Sequence, residues 1–96
     1  MQKIEVQTMK EGYETIDKPV LTPCFMTRFE KARILGARAE ELENGSALPM
    51  IETDSHCGLE IAELELKQGL LPMLIRRFLS DGVCEEIAVC NLVILD

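Results

Sequence analysis

The single histidine, His56, stands beside Cys57, placing a base next to a nucleophile. Thiol catalysis needs the imidazole within hydrogen-bond reach of the sulfur. Adjacent residues in an extended loop point their side chains apart, so the pair has poor geometry for proton transfer. A metal set drawn from His56, Cys57, Cys84 and Cys90 is no better supported. Structural zinc sites bring their ligands in closely spaced pairs, and no two of Cys24, Cys57, Cys84 and Cys90 have C-x-x-C spacing. No acid pair, phosphate loop or metal cluster supports chemistry elsewhere. The expectation is a chain with no catalytic residue, no metal and no cofactor. Its thiols are expected to be buried or idle, and reduced in an intracellular setting.

The arginines offer a different chemistry. Arg28, Lys31, Arg33 and Arg38 crowd one stretch, and Arg76-Arg77 form a second group. A guanidinium can grip a carboxylate through two parallel hydrogen bonds. Arg33, Arg38, Arg76 and Arg77 therefore have two readings. They reach a partner's carboxylates, or they are solvated or paired internally, for example with Glu30, Glu40, Glu85 and Glu86. Exposed pairs contribute only about 0–1 kcal/mol and leave little trace in sequence.

The elements that must carry these residues follow from spacing. Thr27-x-x-Glu30 is a capping-box pattern that starts a helix. Phe29, Ala32, Leu35, Gly36, Ala39 and Leu42 then recur at helical spacing as one stripe. Asn44-Gly45 is a C-terminal stop, since glycine tolerates the left-handed cap. Gly36 costs roughly 1 kcal/mol relative to alanine in a helix interior, so it is expected where another backbone comes close. Ile34 and Ala37 lie on roughly the other side, which gives the helix two apolar faces. A short extended piece is expected over 47–52, with Pro49 confining it to an edge or a strand start. A second helix is expected over about Leu59–Lys67, with Leu59, Ala62 and Leu66 on one face, widened by Ile61 and Leu64, and Gly69 as its stop. Leu71–Leu79 and Val83–Val89 read as a hairpin around Ser80-Asp81-Gly82. Its register sets Arg77 against Glu85 and Arg76 against Glu86. Asn91–Leu95 is an apolar tail suited to an extended course. Residues 1–25 read as an N-terminal arm, in which Ile4 and Val6 suit a short added strand or a disordered segment. The fold class expected is α+β, with two helices packed on a small antiparallel hairpin or sheet after a short arm.

The totals limit the function. Ninety-six residues allow one small domain, and a hydrophobic fraction of 47% with one Tyr, three Phe and no Trp makes its core aliphatic. Domains of this size are marginal alone, which favours obligate association. A net charge of −7 argues against direct binding to a phosphate backbone. No secretory signal and no run of roughly 18 apolar residues is present, so the expectation is a soluble intracellular protein that meets no membrane.

Three segments in order resemble a known family. Thr22-Pro23 with Met26-Thr27-x-x-Glu30-x-Ala32-Arg33-x-Leu35-Gly36-x-Arg38-Ala39 resembles its first helix. Leu59-x-Ile61-Ala62-x-x-Glu65-Leu66 resembles its second. Pro72-x-x-Ile75-Arg76-Arg77-Phe78-Leu79-x-Asp81-Gly82 resembles its hairpin. The family is the small RNA polymerase subunit called omega in bacteria, K in archaea, and the shared sixth-largest subunit in eukaryotic nuclear polymerases. The likeness covers Leu21–Asp96, and the family domain is placed at 26–96. The Thr-Pro-x-x-Met-Thr approach looks more eukaryotic than archaeal. Departures concentrate toward the C-terminus. Cys57-Gly58 replaces an Asp-Pro, Ser80 a turn proline, Cys84 and Ile87 aromatics, and Cys90-Asn91 an Asp-Glu. The long acidic tail of eukaryotic relatives has no counterpart in the short mixed-charge arm.

The resemblance implies a non-catalytic polymerase subunit that holds the C-terminal region of the largest subunit and favours assembly. DNA would be met only indirectly, and the location would be the nucleus, or the cytoplasm or virion for a large DNA virus. The expected partner interface is Arg33, Ile34, Gly36, Ala37, Arg38, Arg76 and Arg77. The alternative reading is a small intracellular interaction module unrelated to transcription.

Overall fold

A computed structural model of the chain describes residues 3–9, 15–16, 18–79 and 82–94. The order of elements is β1 (Ile4–Thr8), β2 (Phe25–Met26), α1 (Arg28–Glu43), α2 (Gly58–Lys67), β3 (Met73–Phe78), β4 (Cys84–Ala88), a 3-10 turn (Val89–Asn91) and β5 (Val93–Ile94). β1, β3 and β4 form an antiparallel sheet with β3 in the centre, and β2 pairs with β5 in parallel. The fold class is α+β, as the helix and hairpin patterns predict.

The start of α1 follows its sequence signal. The Thr27 hydroxyl accepts from the Glu30 N–H at 3.1 Å, and the Glu30 carboxylate accepts from the Thr27 N–H at 3.0 Å. Asn44 is the C-cap, and Gly45 follows at φ +79°. The hairpin keeps the expected register, with Arg77 opposite Glu85 and Arg76 opposite Glu86. Gly82 has φ +84°, the conformation its turn position requires, and Leu79 N–H donates to Val83 C=O to close the turn. Ser80 and Asp81 lie outside the described residues. Ile4–Thr8 fills the sheet's third place against β3, and Ile4 is buried.

The two apolar faces of α1 do not divide cleanly into a packed and an outward side. Of the stripe, Leu35 is buried, but Phe29, Ala32 and Gly36 are exposed. The inward face is Glu30, Ile34, Leu35 and Arg38, with Ala37 half-buried against the core. The cause is that two of the inward positions are charged. Counting apolar residues turns the helix the wrong way when buried ion pairs replace aliphatic side chains on the packed face. α2 packs the centre of its expected face and also buries a carboxylate there. Ile61, Ala62, Glu65 and Leu66 point inward while Leu59 and Leu64 are exposed.

Two further readings change. Residues 47–52 form a loop without a strand, because its backbone groups bond to buried side chains rather than to a ladder. The C-terminal tail is extended at Val93–Ile94, as β5, after the 3-10 turn at Val89–Asn91. All four cysteines are exposed, so "buried" does not hold for any of them. The core is aliphatic, as the composition predicts. Ile34, Leu35, Leu66, Met73, Ile75 and Ile87 lie at its centre, between the helices and the sheet. Among the described residues no helix is long and apolar enough to cross a membrane.

Candidate partner interface

Two buried charge networks fix the orientation of α1. The first joins it to the sheet. Arg77 is 1% exposed, and it donates to Glu30 from Nε at 2.7 Å and from Nη2 at 2.8 Å. It also donates to the Thr22 hydroxyl at 2.9 Å and to the carbonyls of Pro23 and Phe25. A guanidinium has five N–H donors, and all five have partners here. The Thr22 hydroxyl donates in turn to Glu85 at 2.6 Å, and Glu85 also accepts from the N–H groups of Val20 and Leu21. The Arg77–Glu85 strand pair is therefore bridged through Thr22. β3, β4, the start of α1 and the segment 20–25 meet in one polar cluster.

The second network joins the helices. Arg38, 1% exposed, donates to Glu65, fully buried, from Nε and Nη2, both at 2.8 Å. Arg38 also donates to Leu48 C=O at 3.1 Å, and Glu65 accepts from Met50 N–H at 2.8 Å. Glu41 takes a longer bond from Arg38 at 3.4 Å and one from the Thr8 hydroxyl. Among the described residues no buried side-chain polar atom lacks a partner, which is the condition under which buried charges are tolerated.

Burial alone would raise the carboxyls of Glu30, Glu65 and Glu85. The hydrogen bonds outweigh it and hold all three below the ordinary value of 4.5. The donors are Arg77 and Thr27 for Glu30, Arg38 and Met50 for Glu65, and Thr22, Leu21 and Val20 for Glu85. Arg38 is raised, chiefly by its hydrogen bond to Glu65.

The residues expected at a partner interface are thereby sorted. Ile34, Arg38 and Arg77 are inside the chain's own core and networks. Ala37 is half-buried on the core. Arg76 is on the outer face of the sheet, bonded to Glu86 at 2.7 Å, with Glu5 at 3.7 Å on the other flank. Arg33 and Gly36 remain on the outward face of α1 with Phe29 and Ala32. The Arg33 guanidinium lies 5.9 Å from the centroid of the Phe29 ring. A Cβ added to Gly36 would meet nothing within 4 Å.

Sequence reasoning missed three residues. Glu65 holds the helices together, and its signal was a carboxylate on the Ile61, Ala62, Leu66 face. Thr22 bridges two strands from an irregular segment, a role that no local pattern marks. Gly58 is the place where backbones come close. A Cβ there would lie 2.7 Å from Ala39 O and 2.8 Å from Glu43 Cγ. Among the described residues no group of histidine, cysteine and carboxylate side chains could hold a metal ion.

These observations define an α+β domain cross-linked internally by charge, with its first helix presenting an open face of aromatic, small and basic residues. The family model for RNA polymerase Rpb6 matches residues 21–73, and the chain belongs to that family. It is similar to a probable DNA-directed RNA polymerases I, II, and III subunit RPABC2 of Caenorhabditis elegans, 46% identical over 70% of this chain and 48% of the relative. It is also similar to the DNA-directed RNA polymerases II and V subunit 6B of Arabidopsis thaliana, 40% identical over 86% of this chain and 58% of the relative. The RPABC2 of Saccharomyces cerevisiae is 36% identical over 97% of this chain and 59% of its own length. The chain thus spans about half the length of the curated relatives it matches.

Proposed function

We propose that the chain is a non-catalytic subunit of a multisubunit DNA-dependent RNA polymerase in the nucleus, and that it holds the C-terminal region of the largest subunit. The observation that carries the reading is the family membership, which supports the polymerase as partner. The outward face of α1 suits the contact. Phe29 supplies an exposed aromatic surface, Ala32 and Gly36 let another backbone approach, and Arg33 can grip a carboxylate. Arg38 and Arg77 then serve the interface indirectly, by fixing which side of α1 points out. With a net charge of −7 the chain meets DNA only through the assembly.

Affinity purification of the tagged chain tests this. The expected result is recovery of the large polymerase subunits in fixed stoichiometry, unchanged by nuclease. Recovery of other proteins alone would favour an interaction module unrelated to transcription. Loss of the polymerase after nuclease would mean tethering through nucleic acid.

A further inference from the structure

The Arg38–Glu65 pair does more than join two helices. Each partner also bonds one backbone group of the loop between them, Leu48 C=O and Met50 N–H. Connecting loops are usually the mobile parts of a fold. Here a loop is anchored at two positions by buried charges, while Leu48 is 83% exposed and Met50 54% exposed. Neither side chain contributes to the core. Single exposed apolar side chains are ordinary on protein surfaces. Two of them held out by a buried clamp are a preformed contact, because the ordering that binding would otherwise require is already done.

The charge of this part of the chain indicates what would cover them. Residues 38–66 hold eight carboxylates against one arginine, a balance of −7 that equals the net charge of the whole chain. Once Arg38 and Glu65 are set aside as a buried pair, Glu40, Glu41, Glu43, Glu52, Asp54, Glu60 and Glu63 remain in that span. Glu52 and Asp54 are exposed and lie two and four residues past Met50, while Glu43 is exposed and its carboxylate accepts from Gly58 N–H at 3.2 Å. The rest of the chain is electrically balanced.

We infer that the 47–54 loop is a second docking surface, separate from the outward face of α1, and that its occupant is a basic protein segment carrying apolar side chains. Leu48 and Met50 bury against the apolar side chains of that segment. The exposed carboxylates of Glu52 and Asp54, within an acidic stretch of the chain, steer its lysines and arginines and fix its register.

The test uses the full chain and a soluble lysine-rich synthetic peptide that carries leucines, with two controls: its leucines changed to serine, or its lysines changed to glutamate. Binding is followed by fluorescence anisotropy, and the contact is mapped by amide chemical shifts. The lysine–leucine peptide should bind, shift the amides of residues 47–54, and bind less as salt rises. Leu48→Ser with Met50→Ser should weaken it roughly tenfold or more without changing melting, since both side chains are exposed. Glu52→Lys with Asp54→Lys should do the same. Equal binding of the serine peptide would reduce the surface to charge alone and overturn the proposal. So would unchanged binding by the double serine variant, shifts mapping elsewhere, or no binding of the lysine–leucine peptide.

Discussion

Replacing Glu65 alone by leucine leaves the Arg38 guanidinium buried without its carboxylate. Breaking a buried pair in this way costs about 3–5 kcal/mol, a large share of the roughly 5–15 kcal/mol that holds a domain folded. Changing both partners to apolar residues of similar size removes the charge and its desolvation penalty together, and is often neutral or stabilising. Glu65→Leu should therefore melt far below the parent, whereas Arg38→Met with Glu65→Leu should melt near it. The double variant should also lose protection from hydrogen exchange at the Met50 amide, which has then lost its acceptor. Equal destabilisation by single and double variants would show that the pair is not coupled. The same groups set the response to acid. Glu30, Glu65 and Glu85 each hold a proton less firmly in the folded chain than in the unfolded one. Unfolding then takes up protons, so stability rises with pH through the window below 4.5. Their contribution is fully present above the ordinary carboxyl range and is lost as pH falls through the depressed folded values. Thermal melts from pH 7 downward should hold steady to about pH 5 and then fall. Glu85→Gln should flatten part of that fall.

At the scale of elements, the close approach of the helices is at Gly58, the first residue of α2. The atom nearest to an added Cβ is a backbone oxygen, Ala39 O at 2.7 Å, and it cannot swing aside. Gly58→Ala should destabilise the chain by about 1–3 kcal/mol, the usual result of overpacking, despite alanine's better helix propensity. A lower urea midpoint would bear this out, and an unchanged or higher one would contradict it. Much of the architecture was legible beforehand. The Thr27–Glu30 box, the Gly45 and Gly82 positions and the Arg77–Glu85 register are local signals, and each is present in the structure. What was not legible was the direction in which the helices face. Periodicity assumes that the packed side is apolar, and this fold places Glu30, Arg38 and Glu65 there. Their partners, Arg77 and the 48–50 loop, lie far away in sequence, so only the tertiary structure reveals that the charges are satisfied. The 47–52 piece was misread for the same reason, since its hydrogen bonds go to those charges.

At the scale of the whole molecule, the charged networks and the open helix face divide the work. The networks lock α1 against α2 and the sheet, and the side left over leaves Phe29, Ala32, Arg33 and Gly36 exposed, the face proposed above for the partner. The measurement that tests this division most directly compares Gly36→Val and Gly36→Ala in two assays, melting of the free chain and affinity for the purified largest polymerase subunit. Since a Cβ at Gly36 meets nothing within 4 Å, neither change should harm the free fold. Both should raise its stability, alanine by up to about 1 kcal/mol. In the complex, valine should hold the backbones apart and weaken binding by about 1–3 kcal/mol, roughly tenfold for each 1.4 kcal/mol, with alanine affected less. Unchanged affinity for Gly36→Val, with the chain folded, would contradict the assignment of this face.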